Sequence, residues 1–264
     1  MTYDMLGSGA LDYLPCRYGT SKLTFRGPRR ALEGPYVAFL GGIVTFGKFI
    51  EQPFPLRVEH LTGVTPVNFG QVNAGLDVFA NDASILEVAA QAKVTVMEAT
   101  GAANMSNRFY TVHPRRNDRF LHAMPDLRRL YHDVDFTQFS FTHHMLGHLQ
   151  QKDAVRFTEV QRVLQRTWVR RMRRLLPQLS EEVILLRVQM EGDSPVGVVD
   201  DMIDRLGPLL SAVVDIPDTQ LFEEETPVGM AFNLLEEQAA KVVPQPHVHA
   251  AIAQALRPVL DRLM

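Results

Sequence analysis

The sequence predicts an α/β protein built on a central, mainly parallel five-stranded sheet, with a helical insertion after the third strand. Three observations carry that expectation. Five short, nearly continuous apolar runs recur along the chain, stretches with helical periodicity separate them, and one separation, about residues 105–180, is far longer than a crossover requires. Runs that are apolar on both faces suit strands covered by helices on both sides, the usual environment of a parallel sheet.

The elements follow in chain order. Residues 1–35 precede the alternation and contain CRYGTSKLTFRGPRR, rich in glycine, proline and cations, so they read as an irregular leader packed on the core. YVAFL (36–40) is the first strand, and PVNF (66–69), VTVMEA (94–99), EVILLRV (182–188) and SAVVDI (211–216) supply the other four. The insertion opens with the polar stretch NMSNRFYTVHPRRNDRF. Its second half places Phe157, Val160, Val163, Leu164, Trp168, Met172, Leu175 and Leu176 near one helical face, opposite Arg162, Arg166, Arg170, Arg173 and Arg174. Pro177 ends that helix, because proline lacks an amide donor and crowds the preceding turn. Val248, Ile252, Leu256, Val259 and Leu263 mark a terminal helix. With 264 residues and no internal repeat, the chain is expected to form a single α/β domain.

Composition limits the function. The 46% hydrophobic and 22% charged contents are ordinary for a globular chain, so neither disorder nor a membrane role is needed to explain them. A net charge of −3 argues against wholesale nucleic-acid binding but leaves room for a local basic pocket. Cys16 is the only cysteine, which excludes an intrachain disulfide and a cysteine-based zinc site and points to a reducing compartment. The N-terminal MTYDMLGSGALDYLP lacks the basic start and apolar segment of a secretory signal, and no run approaches the ~20 apolar residues that span a bilayer. A cytoplasmic protein is expected, with no nucleic acid and no membrane among its partners and with homo-oligomerisation left open.

Cofactor signatures are missing: the chain has neither GxxxxGK[ST] nor GxGxxG, and no cofactor is expected. FTHHMLGHL sets His144 and His148 four apart, on one face of a helix, but a histidine pair alone falls short of a zinc ligand set, so no metal is expected. The acidic run FEEET (222–226) reads as a solvated loop.

The ends of the first three strands are more informative. They read GGIVTFG, NFGQVNAG and TGAANMSN, all small or polar, and in a parallel sheet such carboxyl-end junctions converge on one crevice. The first block resembles the GDSxTxG block of the SGNH or GDSL hydrolase superfamily: Gly41, Thr45 and Gly47 match, Gly42 stands in the aspartate position and Ile43 in that of the nucleophilic serine. The resemblance covers about residues 36–104 and 244–263 and implies a flavodoxin-like three-layer sandwich. The polar stretches of the leader and the insertion also resemble an uncharacterised bacterial family of unknown function with this core.

The resemblance also implies site residues. Asn104 and the backbone amides of Ile43 and Gly75, with Asn73 as the alternative to Gly75, would be oxyanion donors, and Gly42 would line the same substrate site. His249 in PHVHAAIAQAL would be the general base, although Pro246 takes the place of its aspartate partner. Thr45 and Ser106 carry hydroxyls near the site. A threonine in the first turn suits helix capping better than attack, and Ser106 fits a turn. Lys22 and Arg26 in the leader, and Arg115 and Arg116 in the insertion, are candidates for holding an anion through paired hydrogen bonds. The expected function is recognition of a polar or anionic small molecule or glycan, with ester hydrolysis or acyl transfer lost or altered. The alternative is a non-catalytic binding or scaffold protein of surface-polysaccharide or transferase machinery, with the basic helix as its interface.

Overall fold

A computed structural model describes residues 11–189, 196–217 and 228–264. Its main sheet holds β1 (Tyr36–Leu40), β2 (Thr65–Asn68), β3 (Val94–Glu98), β6 (Glu182–Val188) and β7 (Ala212–Ile216), all parallel, in the order β2-β1-β3-β6-β7. Each strand falls within or beside an apolar run read from the sequence, and the strand order reverses at β1, between β2 and β3.

Alternation along the strands separates two apolar layers. Val37 and Phe39, Val94 and Val96, and Ile184 and Leu186 point to one side, where α2 (Phe54–Thr62) and α10 (Pro246–Leu263) cover them with Phe54, Val58, Ile252 and Leu256. Ala38, Leu40, Met97 and Leu185 point to the other side, under α4 (Ala83–Gln91) and α7 (Ala154–Leu175). The three-layer sandwich is therefore present. All eight residues of the predicted apolar face are buried, seven on α7 and Leu176 in the 3-10 turn (Leu176–Gln178) that follows it and contains Pro177. Shorter helices complete the description: α1 (Ile43–Phe46), α3 (Leu76–Ala80), α5 (Pro125–Leu130), α6 (Thr142–Lys152), α8 (Asp200–Asp204) and α9 (Glu237–Ala240).

The insertion is not wholly helical. Its polar opening forms an antiparallel hairpin, β4 (Tyr110–His113) with β5 (Arg116–Ala123), before α5, α6 and α7 follow. Tyr110, Val112 and Phe120 give the hairpin a buried face, and the charged residues between them hid that alternation in the sequence. From β5, the fully buried Asn117 accepts hydrogen bonds from the amides of Gly75 and Val78 and donates to the His113 carbonyl. One side chain thus fixes the hairpin to the first turn of α3.

The described part of the leader, residues 11–35, carries no strand of the main sheet. Cys16 and Phe25 exchange two backbone hydrogen bonds of 2.9 Å, and Tyr18 and Phe25 pack their rings on Phe69. Arg26 is buried and donates to the carbonyls of Phe46, Gly47, Ile50 and Glu51. Those are the orphan acceptors beyond the end of α1. No helix among the described residues is long and apolar enough to cross a membrane. The FEEET run (222–226) lies outside the described residues.

Candidate functional site

The first junction is organised by a residue of the central strand. Glu98, the last residue of β3, accepts hydrogen bonds at Oε2 from the Gly42 amide (2.9 Å), the Thr45 amide (3.0 Å) and the Thr45 hydroxyl (2.5 Å). Three donors on one carboxylate oxygen explain why the turn is tight. They also explain Gly41, where an added Cβ would lie 2.1 Å from Thr45 Oγ1 and 2.3 Å from Glu98 Oε2. Thr45 is 1% exposed, so its hydroxyl is spent inside the fold.

The other junctions close on the first. Asn68 Nδ2 donates to the Thr45 carbonyl, and the Gln71 amide donates to the Gly41 carbonyl. Gly75 lies so near the third junction that a Cβ there would sit 1.7 Å from the Asn104 carbonyl oxygen, and its amide is engaged by Asn117. Trp168 on α7 donates through Nε1 to the Thr100 carbonyl, anchoring the third junction from below. Asn104 Oδ1 accepts from Thr142 Oγ1 at 2.7 Å, so the carboxamide has its Nδ2 hydrogens left to offer.

These contacts enclose a cleft of about 160 Å³ at the carboxyl edge of the sheet. The first junction contributes Gly42 and Ile43, the second Val72 and Ala74, and the third Glu98, Thr100 and Asn104. Asp118 of β5 and Phe141, Thr142 and His143 at the start of α6 close it from the insertion. The predicted convergence of three junctions is therefore seen, whereas Asn73 and Gly75 are not among the lining residues.

His249 lies elsewhere. It is 1% exposed on α10, its Nδ1 accepts the Phe54 amide at 3.1 Å, and its ring stacks on that of Phe54. Burial, with the positive charges of Arg57 and Arg26 and with His247, lowers its pKa to about 3, and Nε2 carries the single proton. The geometry is that of a buried cap on α2, not of a base at the cleft. The residues gathered near Ile43 are apolar instead: Phe49, Ala240 and Val243 form a small core on which Ile43 packs.

Because the folded pKa of His249 is below that of a free imidazole, the unfolded chain binds the extra proton first on acidification. Its contribution to stability is complete above about pH 6.5 and is lost as pH falls towards 3. His249→Asn, which keeps an acceptor for the Phe54 amide, should flatten the pH dependence of unfolding in that window by up to about 1.4 kcal/mol per pH unit. Denaturant titrations of both proteins at pH 4, 5, 6 and 7 check this; parallel slopes would contradict it.

The predicted cations disperse. Lys22 and Arg115 flank a separate groove with Asp82 and Ser84, Arg116 is exposed at the start of β5, and Arg26 serves the main chain. Ser106 is held in a turn, with its amide on Asp77, its hydroxyl accepting from the Val112 amide and its carbonyl bound by Arg171. His144 and His148 do share a face of α6, where both contact the Phe139 ring. Among the described residues no group of three His, Cys, Asp or Glu is placed to hold a metal.

Across its whole length, residues 1–264, the sequence matches a family described as a domain of unknown function, DUF6473. The chain belongs to that family. No curated protein matches the DUF6473 chain. Two solved structures are similar to it. One, from Desulfitobacterium hafniense DCB-2, is described as belonging to the lipolytic G-D-S-L family: TM-score 0.39, 12% identity, with 88% of the DUF6473 chain and all of the other covered. The other is BT4096, a gut microbial diltiazem-metabolizing enzyme: TM-score 0.35, 11% identity, covering 87% of the DUF6473 chain and 47% of its own. The DUF6473 chain thus spans about half of that second protein.

Five polar cleft residues of the DUF6473 chain were not foreseen: Glu98, Thr100, Asp118, Thr142 and His143. Glu98 had a signal, being the only charged residue in its strand and standing at the carboxyl end. The insertion residues had none, since nothing local says where a hairpin and a helix will dock.

Proposed function

We propose that the protein binds a polar small molecule or glycan unit in this cleft, and that serine-type ester hydrolysis and acyl transfer are lost from it. The observation that carries the reading is a contrast at one place. Polar groups from the junctions and the insertion line the cleft, while Ile43, in place of a nucleophile, packs on the apolar Phe49, Ala240 and Val243. Acyl transfer needs a nucleophile, a base within hydrogen-bond reach and donors free to receive the oxyanion. Ile43 supplies no nucleophile, His249 is buried against Phe54, and the Gly75 amide is bound to Asn117.

The cleft favours a ligand without negative charge. Its lining includes Glu98 and Asp118 but no lysine or arginine, and the four cations considered from the sequence lie outside it. The reading therefore keeps the polar small molecule or glycan and sets the anion aside.

Ile43→Ser tests the loss of ester chemistry. Adding a hydroxyl alone should give no turnover of p-nitrophenyl acetate or longer acyl esters above the wild-type protein, because His249, buried against Phe54, is not free to take its proton. Turnover gained by the variant would overturn the reading.

A further inference from the structure

We propose that the cleft takes one polyhydroxylated six-membered ring carrying no acidic group. The inference rests on the cleft being the ligand site, as above, and adds the class of ligand.

Size sets the first limit. A cavity of roughly 150 Å³ holds one benzene ring, so the 160 Å³ found here admits a single ring, the rest of any larger molecule lying outside. Drug-sized ligands use pockets of about 300 Å³ and more.

Hydrogen-bond accounting sets the second limit. Thr100 is 8% exposed and its Oγ1 has no protein partner; Asp118 Oδ1 is likewise buried and unpartnered; both residues line the cleft. Buried polar atoms are nearly always satisfied, and leaving one unmade is costly. An ionised carboxylate only accepts, so the partner of Asp118 must bring a donor, while a threonine hydroxyl can give or receive. Neighbouring ring hydroxyls provide both functions. The Nδ2 hydrogens of Asn104 suit a further ring or hydroxyl oxygen.

Charge and shape agree with this. A carboxylate or phosphate on the ligand would meet Glu98 and Asp118 at close range with no lining cation to offset them. Phe141 is 39% exposed at the cleft, and the Arg119 guanidinium covers one face of its ring at 4.4 Å from the centroid. What remains of the phenyl ring is an apolar surface for the C–H side of a saturated ring.

Ligand-observed saturation-transfer NMR on the full chain tests the proposal, with glucose, galactose, mannose, myo-inositol, glucosamine, glucuronate and inorganic phosphate as probes. At least one of the first five should bind saturably. Its affinity should fall about tenfold in Thr100→Val and in Asp118→Asn, each checked for folding by circular dichroism. Glucuronate should bind at least about tenfold more weakly than glucose or the best non-acidic ring. Tighter binding of glucuronate or phosphate, weakened by the same two substitutions, would overturn the ligand class while leaving the cleft as the site. Saturable binding that neither substitution changes would overturn the placement, and with it the reading of the cleft. Failure of all seven probes to bind would overturn the proposed class, whereas the Ile43→Ser assay reads the loss of ester chemistry independently.

Discussion

Glu98→Ala should lower the stability of the protein by roughly 4 kcal/mol, since it leaves three buried donors unpartnered and each such group costs about 1–3 kcal/mol. The donors are the amides of Gly42 and Thr45 and the hydroxyl of Thr45, all within 3.0 Å of Glu98 Oε2. At about 2–4 °C per kcal/mol for a chain of this size, the melting temperature should fall by roughly 10 °C. Glu98→Gln retains an acceptor oxygen at the same reach and should lose less than half as much. A scanning melt of the three proteins decides the matter. An unchanged melting temperature in Glu98→Ala would mean that solvent or another group replaces the carboxylate, and that the first junction is not built around it.

The second large effect is expected at Gly75. Its added Cβ would lie 1.7 Å from the Asn104 carbonyl oxygen and 2.7 Å from the carbonyl carbon, and backbone atoms cannot rotate away as the end of a side chain can. Gly75→Ala must separate the second junction from the third and weaken the hydrogen bond from the Gly75 amide to Asn117, so a loss of about 3 kcal/mol or more is expected, at the upper end for single substitutions. Gly147→Ala is the matched control. It lies within α6 with nothing within 4 Å of the added Cβ, and alanine favours a helix over glycine by about 0.5–1 kcal/mol. Denaturant midpoints should therefore move in opposite directions; equal midpoints would show that the two junctions are not in close contact.

The fold was legible because its signals are local. A strand buried on both faces writes itself as a short apolar run, and α7 writes its buried side as a stripe from Phe157 to Leu176. The hairpin from Tyr110 to Ala123 was not legible, since its exposed face carries Arg116, Leu121 and His122 and its buried positions are spaced by a bulge. The site was half legible. That three junctions meet follows from the rule for parallel sheets, which needs no knowledge of distant residues. What stands opposite them depends on how the insertion folds back, and Asp118 and His143 enter the cleft only through that docking.

Two residue types misled for physical reasons. An arginine in an irregular leader looks the same in sequence whether it faces solvent or, like Arg26, is buried and caps four carbonyls. A histidine at the start of a terminal helix looks the same whether its ring faces a cleft or, like His249, accepts an amide beneath a neighbouring helix. In both cases the deciding quantity is burial, set by packing across more than twenty residues of sequence. The Ala240 and Val243 pair carried no chemical signal at all, yet they pack with Ile43 and Phe49 beside the first junction.

The proposed loss of ester chemistry is tested most directly by incubating the purified protein with a fluorophosphonate, which phosphonylates activated hydroxyls, and measuring the intact mass. Because Thr45 is locked onto Glu98, Ser106 is fixed in a turn and His249 is buried against Phe54, an unchanged mass is predicted. A stoichiometric adduct mapped to Thr45, Thr100 or Ser106 would contradict it, and the cleft would then have to be read as an acyl-transfer site with a displaced nucleophile.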